Sequence, residues 1–290
     1  MKVHRIPRGN GRFLSFMETG PSNAPVWFYC HGIPGSKKEV LMATANNRTG
    51  SVRLIAIDRP GCGDSTQWKS YSFSDHADDM RAVAEYLQIK VFSLLGFSGG
   101  GVFAMATAQA FKGRIQRVVL VGTPCVPILD SPFNHAGRLT AQVWHAALTA
   151  PQDLVSQLAT LTANSHLLSD ALMDSLSDTE QQSLQAPRVY TAFQDDLAAA
   201  TQQGGMIAAE SIVRDTQLMV KDWPFNLDNM ALPVEIFHGE QDNLVHLEHG
   251  QALASSIPGS TLTTLSKSGH YDTLIKACGL RMECWGSRPL

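Results

Sequence analysis

Short apolar runs alternate with amphipathic stretches along the first 125 residues. Val26 to Cys30 (VWFYC), Val52 to Ile57 (VRLIAI), Val91 to Leu95 and Ile115 to Val121 (IQRVVLV) each have the length and apolarity of a strand buried on both faces. Between them the spacing becomes helical. Ala77, Met80, Val83, Ala84 and Leu87 mark an amphipathic helix over Asp75 to Leu87, with Ser74 placed to cap its amino end. The small residues of Val102 to Ala110 predict another. Ahead of these units, Val3 to Ile6 and Phe13 to Glu18 flank a Gly9-Asn10-Gly11 turn and predict an antiparallel hairpin. Strand and helix in alternation predict a mostly parallel sheet covered by helices on both faces.

After Pro124 the pattern changes. From about Asp130 to Asp222 only helical periodicity remains, over Arg138 to Leu148, Gln152 to Leu161, Ser165 to Leu176, Asp178 to Leu184, Val189 to Ala200 and Met206 to Val220. Alternation resumes with Val234 to Phe237, a helix over Leu247 to Ile257, a strand over Thr261 to Leu265 and a last helix over Thr273 to Cys278. The expected organisation is a core of residues 1–125 and 226–290 with a helical cap of 126–225 over the carboxyl edge of the sheet. Arg281 to Leu290 carries no periodicity and reads as a disordered end.

Composition narrows the setting. The chain has 290 residues and a formal net charge of -3, enough length for a core without disulfides or metals and too little positive charge for a nucleic-acid partner. No apolar run reaches the roughly 18 residues of a membrane span, and no apolar stretch follows the basic amino terminus as in a secretory signal. Five cysteines, Cys30, Cys62, Cys125, Cys278 and Cys284, are an odd and scattered set, which suits a reducing compartment and makes cytoplasm the expected location. The expected partner is a small-molecule substrate, with no nucleic acid, membrane, cofactor or metal, bound by a monomer or homodimer.

The candidate chemistry centres on Gly96-Phe97-Ser98-Gly99-Gly100, a G-x-S-x-G set between an apolar run and a small-residue helix. A serine on so sharp a turn is lifted clear of the sheet edge. Gly96 and Gly100 leave room where strand and helix nearly collide, and the Gly99 amide can face an oxyanion. His31-Gly32-Ile33-Pro34-Gly35 turns at the end of an earlier strand, with the Ile33 amide as a second candidate donor. A serine hydroxyl needs a base and a group to orient that base. His270 and Asp242 each follow a strand, so both fall at the carboxyl edge with Ser98, in the order Ser, Asp, His. Glu240 competes for the acid role. Asp272 reads as a helix-start residue, and His246 and His249, beside Glu248, as a solvated helix start rather than a metal site. Asp58 and Arg59 read as a structural ion pair or turn cap, and Cys30 and Cys62 as inert thiols.

HGIPGS, DRPGCGDS, GFSGGG, HGEQD and SGH occur in this order, and over the whole core the chain resembles the α/β-hydrolase superfamily, serine esterase-like and capped. The resemblance implies an eight-stranded-type sheet, Ser98, Asp242 and His270 as the catalytic residues, Ile33 and Gly99 as oxyanion donors, and a structural role for His31. It favours Asp242 over Glu240. The implied function is hydrolysis of a carboxylic ester, small or medium and largely apolar, through an acyl-enzyme. The same machinery also serves proline iminopeptidase-like aminopeptidases, lactonases, thioesterases, C–C bond hydrolases and perhydrolases. For an aminopeptidase, Asp195, Asp196 and Glu210 are the candidates to grip the amine. A non-catalytic ligand-binding protein on the same fold is the alternative of a different class.

Overall fold

The computed structural model describes residues 1–9, 11–45, 51–111 and 113–285. A hairpin opens the chain, β1 (Lys2–Pro7) and β2 (Phe13–Thr19), paired from Lys2 and Glu18 to Pro7 and Phe13. Asn10, in the expected turn, lies outside the described residues. Next come β3 (Val26–Cys30), α1 (Glu39–Ala43), β4 (Arg53–Ile57), α2 (Phe73–Tyr86), β5 (Phe92–Phe97), α3 (Gly99–Ala110) and β6 (Ile115–Val121). Six helices follow without a strand: α4 (Arg138–Thr149), α5 (Pro151–Thr162), α6 (Ser165–Asp174), α7 (Asp178–Leu184), α8 (Pro187–Thr201) and α9 (Gly205–Val220). The chain closes with β7 (Val234–Gly239), α10 (Leu247–Ser256), β8 (Thr261–Leu265) and α11 (His270–Trp285).

The strands form one eight-stranded sheet in the order β1-β2-β4-β3-β5-β6-β7-β8. Only β2 runs against the others, since it is antiparallel to both β1 and β4 while the remaining pairs are parallel. Phe28, Leu94, Val118 and Ile236 are fully buried in the centre, as expected of strands covered on both faces. Strand order reverses direction between β3 and β5, and the loops leaving those two strands face the crevice where open α/β sheets bind ligands. Among the described residues no helix is long and apolar enough to cross a membrane.

Two helix boundaries and one unexpected helix stand out against the sequence expectation, each for a local reason. Helix α2 is capped by Ser72, not Ser74: Ser72 accepts from the Asp75 amide at 3.3 Å while Asp75 accepts from the Ser72 amide at 2.9 Å, a reciprocal capping box that draws Phe73 and Ser74 into the first turn. Helix α11 begins at His270 rather than Thr273 and runs through residue 285, so much of the expected disordered end is helical. Helix α1 has only five residues, too few for a periodic signal. Within the inserted helices, Pro151 and Pro187 sit at the first helical positions, and Asn164 and Ser177 accept from the amides of His166 and Glu180.

Candidate active site

Strand β5 is buried throughout and runs directly into Ser98, whose φ of 52° and ψ of -131° lie where L-residues are strained. Such a conformation costs about 1–3 kcal/mol and persists only when its surroundings enforce it. They do so here. The Ser98 amide donates to the Val121 carbonyl at 2.8 Å, and the Gly101 amide donates to the Ser98 carbonyl at 2.9 Å. A Cβ at Gly96 would lie 2.5 Å from the Gly101 Cα, and one at Gly100 would run into the Cys30 carbonyl, so neither position tolerates a side chain. Helix α3 starts at once with Gly99, whose amide belongs to the first turn and has no intrahelical acceptor.

The loops after β7 and β8 bring the predicted acid and base together. His270 Nδ1 and Asp242 Oδ2 are 2.6 Å apart, both side chains buried. The other carboxylate oxygen, Oδ1, accepts from the Leu244 and Val245 amides at 3.0 and 2.9 Å. Burial alone would push Asp242 up, yet the His270 charge and hydrogen bond hold it below the usual carboxylate range. Burial likewise opposes protonation of His270, and Asp242 outweighs it and raises the imidazole. With Nδ1 held by Asp242, Nε2 is the edge able to take a proton. Phe97, next to Ser98, packs against the His270 ring at 4.8 Å between centroids. Glu240, the rival acid, is exposed.

The loop after β3 abuts the serine: a Cβ at Gly32 would lie 3.4 Å from that of Ser98, and one at Gly99 only 2.6 Å from Ile33 Cδ1. Its backbone is held from several sides. Glu39, on α1, accepts from the Gly32 amide at 2.9 Å and from the Tyr29 hydroxyl at 2.7 Å. Arg59 donates to the carbonyls of His31 and Gly32, both at 2.6 Å, and pairs with Asp215 of α9 at 2.7 Å. Asp58 pairs with Lys37 at 2.6 Å. Both residues are therefore structural, as their sequence context implied. His31 is buried and held neutral, first by desolvation and then by the Arg59 charge; its Nε2 accepts from the Arg59 amide.

Ile33, Ser98, Gly99 and His270 line one cavity of about 140 Å³. Its walls are mostly apolar, with Val143 and Trp144 from α4, Leu161 from α5, Leu172 from α6 and Met219 from α9. Asp195, Asp196 and Glu210 do not line it. Asp195 is exposed, Asp196 is buried and accepts from the Ser36 amide at 2.8 Å, and Glu210 pairs with Lys69. Glu39 and Glu180 escaped the sequence reading. Glu180 accepts from the Tyr271 amide at 2.6 Å, but Ser177-x-x-Glu180 has the form of a local capping box, which hides a distant contact.

The remaining candidates resolve as structure. His249 is buried, not solvated, because its Nδ1 accepts from the Cys125 amide at 2.9 Å; His246 is the residue before α10. Among the described residues no group of three His, Cys, Asp or Glu side chains could hold a metal ion. Asp272, in the first turn of α11, pairs with Lys276. Burial pushes the thiols of Cys30, Cys62, Cys125 and Cys278 up to about 12, far from the thiolate a nucleophile needs. The side chain of Cys284 lies outside the described residues.

Known proteins match this architecture. A bifunctional esterase/perhydrolase of Acinetobacter calcoaceticus is 26% identical over 243 residues, 82% of each chain. A non-heme chloroperoxidase of Kitasatospora aureofaciens is 24% identical over 267 residues, 90% of this chain and 86% of the relative. The crystal structure of an esterase from Rhodococcus sp. ECU1013 superposes with a TM-score of 0.70 at 20% identity, covering 99% of both chains. The sequence pattern of the alpha/beta hydrolase fold matches residues 25–277. With that match spanning the sheet from β3 to α11, the chain belongs to the α/β-hydrolase family.

Proposed function

We propose that the protein is a serine hydrolase that cleaves carboxylic esters with small or medium, largely apolar acyl or alcohol groups. The observation that carries this reading is the buried 2.6 Å His270–Asp242 contact, which opens into the same apolar cavity as the strained Ser98. Ser98 Oγ attacks the ester carbonyl carbon while His270 Nε2 takes the hydroxyl proton. Asp242 orients the imidazole and stabilises the imidazolium. The amides of Ile33 and Gly99 donate to the oxyanion. Collapse expels the alcohol, which leaves with the proton from His270. Water, deprotonated by His270, then attacks the acyl-serine, and the acid departs with Ser98 restored.

In this reading residues 126–225 act as a cap that supplies most of the apolar wall. The buried thiols support a reducing compartment, the cytoplasm. An aminopeptidase is less well supported, because none of the acids weighed for an amine lines the cavity. Perhydrolysis, in which hydrogen peroxide replaces water at the acyl-serine, is a second reading favoured by the name of the Acinetobacter relative.

A fluorophosphonate probe tests the proposal directly. It should label the protein at Ser98, and Ser98→Ala should abolish labelling and lower kcat on p-nitrophenyl esters by roughly a millionfold with the fold intact. A ligand-binding protein would take up no label. Wild-type rates in the Ser98→Ala variant would exclude the serine mechanism. Replacing part of the water by hydrogen peroxide and measuring peracid separates the second reading.

A further inference from the structure

We infer that Glu180, a carboxylate from α7 in the inserted helical segment, is a positioning residue for His270, anchoring the first turn of α11 and holding negative charge beside the imidazole. This rests on the proposed role of His270 as base. Glu180 is 1% exposed although α7 is a short surface helix. Its Oε1 accepts from the Tyr271 amide at 2.6 Å and more weakly from the Asp272 amide at 3.4 Å. Those amides open α11 and have no intrahelical acceptor, so an anion there is favoured by both hydrogen bonding and the helix dipole. A glutamate three residues after a capping serine ordinarily turns back to its own helix; this one reaches across to another, 91 residues away.

The approach is close. A Cβ at Gly269 would overlap the Glu180 carboxylate, so the glycine before His270 lets that side chain lie directly against the turn. Glu180 Oε2 is buried without a hydrogen-bond partner among the described residues, a costly state for an ionised oxygen unless opposite charge stands near. Burial accordingly pushes Glu180 up to about 7, with Asp242 adding to the rise and the His270 charge opposing it. The reverse also holds: Glu180 reinforces Asp242 in raising His270. The other titratable groups around this turn are Asp272, paired with Lys276 on α11, and His238 of β7, 3.6 Å from Asp242 and pushed toward its neutral form by burial. Burial, and after it the charges of Glu39 and Asp196, push the neighbouring Tyr271 hydroxyl up. An imidazolium formed during acyl transfer is thus met by two carboxylates, one from the sheet and one from the inserted helices.

Glu180→Gln keeps an oxygen to accept the Tyr271 amide and removes the charge; Glu180→Ala removes both. NMR titration of the His270 imidazole should give a lower midpoint in Glu180→Gln than in the wild type. The acidic limb of kcat/KM should move to lower pH in the same direction. Glu180→Ala should lower kcat by up to about a hundredfold with little change in KM. If Glu180→Ala fails to fold, the Glu180→Gln midpoint decides alone. An unchanged His270 midpoint in Glu180→Gln would overturn the inference and leave Glu180 a packing residue. Absence of labelling or hydrolysis in the wild type would instead defeat the proposed function, and the His270 midpoint would still report on Glu180.

Discussion

An imidazole buried as deeply as His270 would ordinarily be a weak base, because taking its cation out of water favours the neutral form. Asp242 reverses the sign of the effect and lifts His270 above its ordinary value of 6.5. In the proposed mechanism, attack by Ser98 requires the neutral imidazole. Hydrolysis should therefore rise with pH along a limb that lies above 6.5. Asp242→Asn removes the charge that lifts His270 and permits the wrong tautomer, so the limb should shift to lower pH and kcat should fall by about 10⁴-fold. A limb unmoved in that variant would mean that Asp242 does not set the base. That Ser98, Asp242 and His270 converge was legible because each follows its own strand, and the carboxyl end of a parallel strand fixes position from local sequence alone. Glu180 and Glu39 were not, since a buried acid declares itself only through the partner that it meets in space.

Three of the inserted helices each send one buried acid to a loop or helix start at that edge: Glu180 of α7 to the first turn of α11, Asp196 of α8 to Ser36, and Asp215 of α9 to Arg59. The last is the most consequential, because Arg59 passes the contact on to the carbonyls that shape the Ile33 turn. Replacing Arg59 by Met should cost about 3–5 kcal/mol, since breaking a buried pair strands charge on the remaining partner. Arg214 also contacts Asp215, at 2.6 Å, which places the expected loss toward the lower end. The same variant should lower kcat more than it raises KM, read by urea melts beside ester kinetics; equal stability and activity would show that the turn stands without Arg59. The helices themselves were readable from their 3.6-residue period. Their contacts were not, and the same blindness explains why α11 starts three residues early, at the turn that Glu180 holds.

At the scale of the whole molecule, strand order places Ser98, Asp242 and His270 on one side, and the inserted helices line the cavity beside them. In the proposed function, substrate choice then belongs to no single segment: Val143, Leu161, Leu172 and Met219 come from four helices, meeting only after the chain has folded. This is why the sequence pattern yields the fold and the residues proposed for attack but little about the proposed acyl group. A cavity of about 140 Å³ favours short over long chains. On p-nitrophenyl esters from acetate to palmitate, kcat/KM should peak among the short and medium acyl groups and fall at least about tenfold at the long end, where methylenes find no apolar wall. Leu172 is only partly buried, so Leu172→Ala should fold while opening the wall on the α6 side. The peak should move toward longer chains, with loss on acetate because fewer contacts remain around a small group. A flat profile in the wild type, or one that Leu172→Ala leaves unmoved, would locate the acyl group elsewhere and assign this cavity to the leaving alcohol.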